Sequence, residues 1–161
     1  IRVWRNKQID ILRQKKKITK IEQENYFKSK IFNDFSNKKP ENILFSILRG
    51  KKLIGYGGLV HIDWINKRSE ISFLLDDKIS GKKEDFNLLF PIFLGLIKDI
   101  SFDNLKLEKL TAELYDIRKY YIKPLRKNNF KIEGRLKKHV IINNNRIDSI
   151  LFSCIKKNID K

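Results

Sequence analysis

Glu70 and His61 are the side chains whose type and setting best suit them to move a proton. Glu70 lies in Ser69-Glu70-Ile71-Ser72-Phe73-Leu74-Leu75, which reads as a β-strand. Its carboxylate falls on the face opposite Ile71 and Phe73, where it can take a proton from an amine directly or through water. The same carboxylate can equally pair with a cross-strand Lys or Arg. His61, in His61-Ile62-Asp63-Trp64, is the other candidate base, and it can equally be a polar surface or structural residue. The single Cys154 excludes an internal disulfide, and no cysteine cluster suggests a zinc site, so no metal is expected. Such cysteine usage fits a reducing, cytoplasmic compartment.

These residues need a framework. The 161 residues make one domain, 1–161, by the usual size prior. A chain of that length buries roughly 70% of its unfolded surface. With 41% hydrophobic and 34% charged residues it reads as globular. It opens on Ile1-Arg2-Val3-Trp4 without a Met, from which a lost N-terminal piece is expected. The most apolar run, Leu88 to Ile97, is broken by Pro91 and is shorter than the roughly 20 residues a membrane span takes.

A net charge of +17 can mark a nucleic-acid partner or an anionic ligand. The chain is also rich in Lys, Ile and Asn with one Ala, a pattern that A/T-rich codons produce. The lysines at 15, 16 and 17 and at 137 and 138 come without interleaved aromatic residues, so they read as solvated charge. A non-catalytic module that binds nucleic acid or a protein through this basic surface stays the rival reading. The expected partner is a small-molecule or peptide amine, not nucleic acid or membrane, and a homodimer is compatible with everything above.

Hydrophobic periodicity orders the elements. Ile1 to Asn6 reads as the end of a helix. Thr19-Lys20-Ile21-Glu22 is a capping box that opens a second. Strands are expected at Ile43 to Leu48, Leu53 to Ile62 and Ser69 to Leu75, with Gly55, Gly57 and Gly58 implying a bulge or close backbone approach. A polar loop from Asp76 to Glu84 leads to a long helix, Asp85 to Phe102. A strand at Leu107 to Leu114, a helix at Ile117 to Asn128 and a hairpin of Lys131 to Ile142 with Arg146 to Ile155 complete the chain.

Several segments share a pattern with one family. They are Trp4-Arg5-Asn6 with Ile18-Thr19 and Tyr26-Phe27, then Ile54-Gly55 before a small-residue run, then Glu70-Ile71-Ser72-Phe73-Leu74-Leu75. Near the end come Leu125-Arg126-Lys127-Asn128-Asn129-Phe130, Glu133-Gly134-Arg135 and Asp148. Their order and spacing resemble the GCN5-related N-acetyltransferases (GNAT), in the branch of the ribosomal-protein and amino-sugar acetyltransferases. The resemblance spans nearly the whole chain. It implies an α/β fold with a mixed, mostly antiparallel sheet that splays near Leu75, with the family's first strand missing here. It also implies acetyl transfer from acetyl-CoA to a primary amine, such as a nucleotide-linked amino sugar or a protein N-terminus.

The resemblance assigns roles by position. A backbone N–H between Phe73, Leu74 and Leu75 would receive the charge developing on the carbonyl oxygen. The phosphates would meet Ser80, Gly81, Lys82 and Lys83, although the family's second loop glycine is Lys83 here. The family's usual leaving-group Tyr corresponds to Leu125. Tyr121, one turn earlier, is therefore the expected acid, with Tyr120 next and Glu70 as the base. The Asn that opens this helix in relatives is Arg118, which could reach a CoA phosphate or face solvent. His61, Trp64, His139 and Asp148 would line the acceptor pocket. Asp148 can instead be a partner for Arg135 or a hairpin amide.

Overall fold

In the computed structural model, which describes residues 1–14 and 16–157 without the Lys83 side chain, six strands form one sheet in the order β1-β2-β3-β4-β6-β5. The strands are β1 (Ile43–Arg49), β2 (Lys52–Asp63), β3 (Arg68–Leu75), β4 (Lys109–Tyr115), β5 (Lys131–Ile142) and β6 (Asn145–Ile155). Every neighbouring pair is antiparallel except β3 and β4, which are parallel. No strand precedes the first helix among the described residues, so β1 is a sheet edge.

A parallel pair needs a crossover. Here α4 (Asp77–Ser80), α5 (Lys83–Lys98) and a π-helical stretch (Asp99–Asn104) supply it. Helix α5 buries Phe86, Phe90, Phe93, Leu94 and Ile97 at helical spacing, and it carries Pro91 inside. These side chains meet Phe73 of β3, whose ring centroid lies 4.9 Å from that of Phe90 and 4.8 Å from that of Phe93. Full burial of each such side chain contributes about 1.5–3 kcal/mol. On β4, Leu110, Ala112 and Leu114 face the same core. By strand alternation Thr111 and Glu113 therefore face the other side of the sheet.

That second side carries the N-terminal helices: α1 (Arg2–Lys7), a 3₁₀ turn (Ile9–Ile11), α2 (Lys20–Tyr26), a π-helical stretch (Phe27–Ile31) and α3 (Phe32–Ser36). The expected capping box is present in full: the Thr19 side chain accepts from the Glu22 N–H and the Glu22 side chain accepts from the Thr19 N–H. Lys16 and then Thr19 hold the Glu22 carboxyl down at about 2. A depressed carboxyl stabilises the fold above its ordinary range, and that contribution is lost as pH falls toward 2. Thr19→Ala should cost about 1 kcal/mol in urea unfolding at neutral pH.

Two expected elements differ. The stretch expected as a loop from Asp76 to Glu84 contains α4, because the Asp76 side chain accepts from the Lys78 N–H and starts a helical turn. The helix expected from Ile117 begins later, as a 3₁₀ turn (Lys119–Tyr121) followed by α6 (Ile122–Lys127). No helix among the described residues is long and apolar enough to cross a membrane.

Candidate active site

The site begins where β3 and β4 part. They pair only at Arg68, Ser69 and Glu70, opposite Lys109, Leu110 and Thr111. Beyond Glu70, β3 keeps its partner β2 as far as Leu75, and β4 keeps β6 as far as Tyr115. A V-shaped gap therefore opens beside Phe73, Leu74 and Leu75. Backbone directions follow from the neighbours: the Ser69 carbonyl accepts from Thr111 of β4, and the Leu75 carbonyl accepts from the Gln8 amide at 2.9 Å. The Asp76 N–H turns the other way, to Ile54 beside β2. By alternation the Phe73 N–H and carbonyl point into the gap. An unpaired strand edge of this kind fits the amide-bearing arm of acetyl-CoA and offers the Phe73 N–H to a carbonyl oxygen.

The gap leads into a cavity of about 440 Å³ walled by Arg13, His61, Glu70, Phe73, Glu113 and Arg118. Arg13, on the turn after α1, reaches across it. One guanidinium bonds both Glu70 of β3 and Glu113 of β4, the latter at 3.1 Å. Glu70 is therefore ion-paired, and its partner comes from a loop rather than from a neighbouring strand. A second cavity of about 660 Å³ shares Arg13 and Glu113 as a wall and takes in His139. The two histidines thus face different spaces on either side of Arg13. His61 itself is exposed, with a φ of 52° at the irregularity in the pairing of β2 with β3.

Tyr121 is 6% exposed. Its ring packs 4.4 Å from Phe86 and 4.8 Å from Phe90, centroid to centroid. Its hydroxyl accepts from the Arg118 guanidinium, which also sits 3.9 Å over the ring. Burial pushes the Tyr121 phenol well above its ordinary value, Arg118 pulls the other way, and Tyr120 adds to the rise. Tyr121 does not itself wall the cavity; Arg118 does. Tyr120 is 42% exposed with its ring against Phe86 and Tyr121.

Four expectations need correction. Arg118 neither faces solvent nor extends along the surface to a phosphate: it is 8% exposed, at the cavity wall. The loop at Ser80, Gly81 and Lys82 is not an open cradle, since their N–H groups donate to Asp76, Asp77 and Ile79 carbonyls. Gly81 has φ −70° and room for a side chain, so nothing there requires glycine. What remains for phosphate is the first turn of α5, whose N–H groups have no acceptor inside the helix, together with the exposed Lys82. The Lys83 side chain and Lys15 lie outside the described residues. Trp64 sits in the turn between β2 and β3, at the closed end of the parallel pair, and its indole donates to the Pro40 carbonyl at 2.8 Å. Asp148 is the partner of Arg135 at 3.0 Å and accepts from the Lys138 N–H at 2.8 Å, so it holds the hairpin rather than an acceptor.

Arg13, Glu113 and Gln8 were not anticipated. Glu113 had a signal, as the polar residue between Ala112 and Leu114 of an alternating strand. Arg13 had none.

The sequence matches the model of the GNAT acetyltransferase domain over residues 1–151. None of the curated proteins compared is significantly similar to it. Among solved structures, the spermidine N-acetyltransferase of Vibrio cholerae in complex with CoA and spermine superposes with a TM-score of 0.82 at 18% identity, over 96% of this chain and 86% of that one. The spermidine/spermine N-acetyltransferase from the same organism in complex with manganese ions gives 0.70 at 19% identity, over 84% and 74%. At such identities the likeness is one of fold. Given the family match over nearly the whole chain and the open strand edge at Phe73, the chain belongs to the GNAT family and is an acyl-CoA-dependent N-acetyltransferase that takes its acetyl group from acetyl-CoA and passes it to an amine.

Proposed function

We propose that the acceptor is a small primary amine carrying positive charge, bound on the Glu70 and Glu113 side of the gap. The carrying observation is that two carboxylates from adjacent strands converge on one guanidinium there, in a chain of net charge +17. Elsewhere in the same cavity wall the charged groups are arginines, so these two carboxylates are the natural cation contact. The solved neighbours named for spermidine are in keeping with this reading. A nucleotide-linked amino sugar or a protein N-terminus, the acceptors of the branch the motifs resemble, also presents a primary amine. Two of the four residues expected to hold such an acceptor, Trp64 and Asp148, are engaged elsewhere.

Each side chain then has a task. Acetyl-CoA supplies an activated acetyl group when bound along β3. The Phe73 N–H faces its carbonyl oxygen. Glu70 takes the proton that the amine must lose before it attacks, and the Tyr121 hydroxyl serves the departing sulfur. Release of CoA thiol should be measured with spermidine, a nucleotide-linked amino sugar and a peptide with a free N-terminus as acceptors. Turnover with the polyamine well above the other two is expected. Turnover confined to the peptide or the sugar would overturn the cationic-acceptor reading.

A further inference from the structure

The surroundings of Arg118 leave its charge unanswered. It is 8% exposed, yet no carboxylate lies within ion-pair distance among the described residues. One guanidinium nitrogen donates to the Tyr121 hydroxyl and another makes a long bond of 3.4 Å to the Ile11 carbonyl. The Nε has no hydrogen-bond partner among the described residues. A buried charge without a counter-ion costs several kcal/mol, and a buried N–H without an acceptor adds to that. Folding tolerates such a group where an anion arrives during function.

The other charged groups near the cavity are committed or distant in chemistry. Glu70 and Glu113 share Arg13; Arg5 bonds Tyr56 and Gln14; His61 is exposed on β2. None supplies an anion to Arg118. In acetyl transfer an anion arises on the departing sulfur, and Arg118 walls the same cavity as Phe73. The amine nitrogen bonds to the acetyl carbon, the carbon–sulfur bond breaks, and its electron pair goes to sulfur. Glu70 holds the proton the amine lost before attack, and the second proton, shed by nitrogen as the amide forms, goes to water.

We propose that Arg118 is the electrostatic receiver of the leaving group, holding the CoA sulfur as a thiolate beside the Tyr121 hydroxyl. The inference rests on the placement of acetyl-CoA in the gap beside Phe73. Its chemistry also resolves a mismatch. A cysteine thiol ionises near 8.5 and an ordinary phenol near 10, and burial raises the Tyr121 phenol further. Full proton transfer from Tyr121 to the thiolate is uphill, so charge stabilisation is the larger need. The Tyr121 oxygen accepts from Arg118, a bond that does not use its own proton.

The test is the affinity for CoA, relative to desulfo-CoA, measured by calorimetry from about pH 6 to about pH 9. A cation in contact lowers an acid's pKa by roughly one to three units. Bound CoA whose thiol is depressed must bind more tightly as pH rises toward the ordinary thiol value, by about tenfold per unit of depression. Desulfo-CoA should show no such rise. In Arg118→Met the rise should vanish while the protein melts no lower, since an unpaired buried charge has been removed. Arg118→Lys should keep part of it. A wild-type affinity ratio that is flat with pH overturns the proposal while leaving the placement of acetyl-CoA intact. An undiminished rise in Arg118→Met overturns it as well. Wild-type protein that binds neither ligand would overturn the proposal together with that placement.

Discussion

Tyr121→Phe should lower kcat by about 10²- to 10³-fold, the usual cost of losing a preorganised hydrogen-bond donor to charge that develops in the transition state. The ring packs against Phe86 and Phe90 and would be kept, so folding should be little changed. Affinity for acetyl-CoA should also change little, because the hydroxyl acts as the carbon–sulfur bond breaks. Arg118 remains in this variant, so bound CoA should retain an acidic thiol while turnover falls. That combination separates donation by the phenol from stabilisation by the guanidinium. Burial holds the phenol protonated to above its ordinary value, so wild-type turnover should show no loss from Tyr ionisation below about pH 10. Tyr120→Phe changes a residue that is 42% exposed and should cost a few-fold at most. Steady-state kinetics on both variants decides the matter. Near-normal kcat in Tyr121→Phe would remove Tyr121 from the chemistry, and a large defect confined to Tyr120→Phe would transfer the role.

The sheet was legible in the sequence because its signals are local. Alternation marks β4, the turn residues at Arg49-Gly50-Lys51 and Asn143-Asn144-Asn145 mark hairpins, and Thr19 with Glu22 marks a helix start. The opening beside Phe73 was legible only through family resemblance, since nothing in a single strand says where its neighbour leaves it. The phosphate loop misled for a local reason: Ser80-Gly81 reads as part of a polar loop, but Asp76 caps the segment and its amides close on Asp76, Asp77 and Ile79. Long-range polar pairs escaped altogether. Arg13 lies 57 residues from Glu70 and 100 from Glu113, separations at which sequence pattern carries no pairing signal. Arg118 was visible as a departure from the family, yet its burial against Tyr121 depends on the 3₁₀ turn that places both residues on one side.

Gly58→Ala should destabilise the protein by about 3–5 kcal/mol, combining backbone strain with overpacking. Against a typical domain stability of about 5–15 kcal/mol that is a large share. Gly58 has φ +157°, a region that residues with a Cβ rarely adopt, and it pairs with Leu44 of β1. An added Cβ would lie 2.0 Å from the Ile43 carbonyl oxygen and 3.0 Å from the Leu44 Cα. Both are backbone atoms, so no rotamer change relieves the clash and β1 must move away from β2. Leu44 and Tyr56 wall the same cavity as Glu70, so the displacement should also raise KM for the amine. Gly95 is the internal control. It lies within α5 with no atom within 4 Å of an added Cβ, and Gly95→Ala should gain about 0.5–1 kcal/mol through helix propensity. Urea midpoints for the two variants should therefore move in opposite directions. A Gly58→Ala protein as stable as wild type would mean that β1 does not lie against Gly58 as described, and the cavity wall formed by Leu44 would have to be redrawn with it.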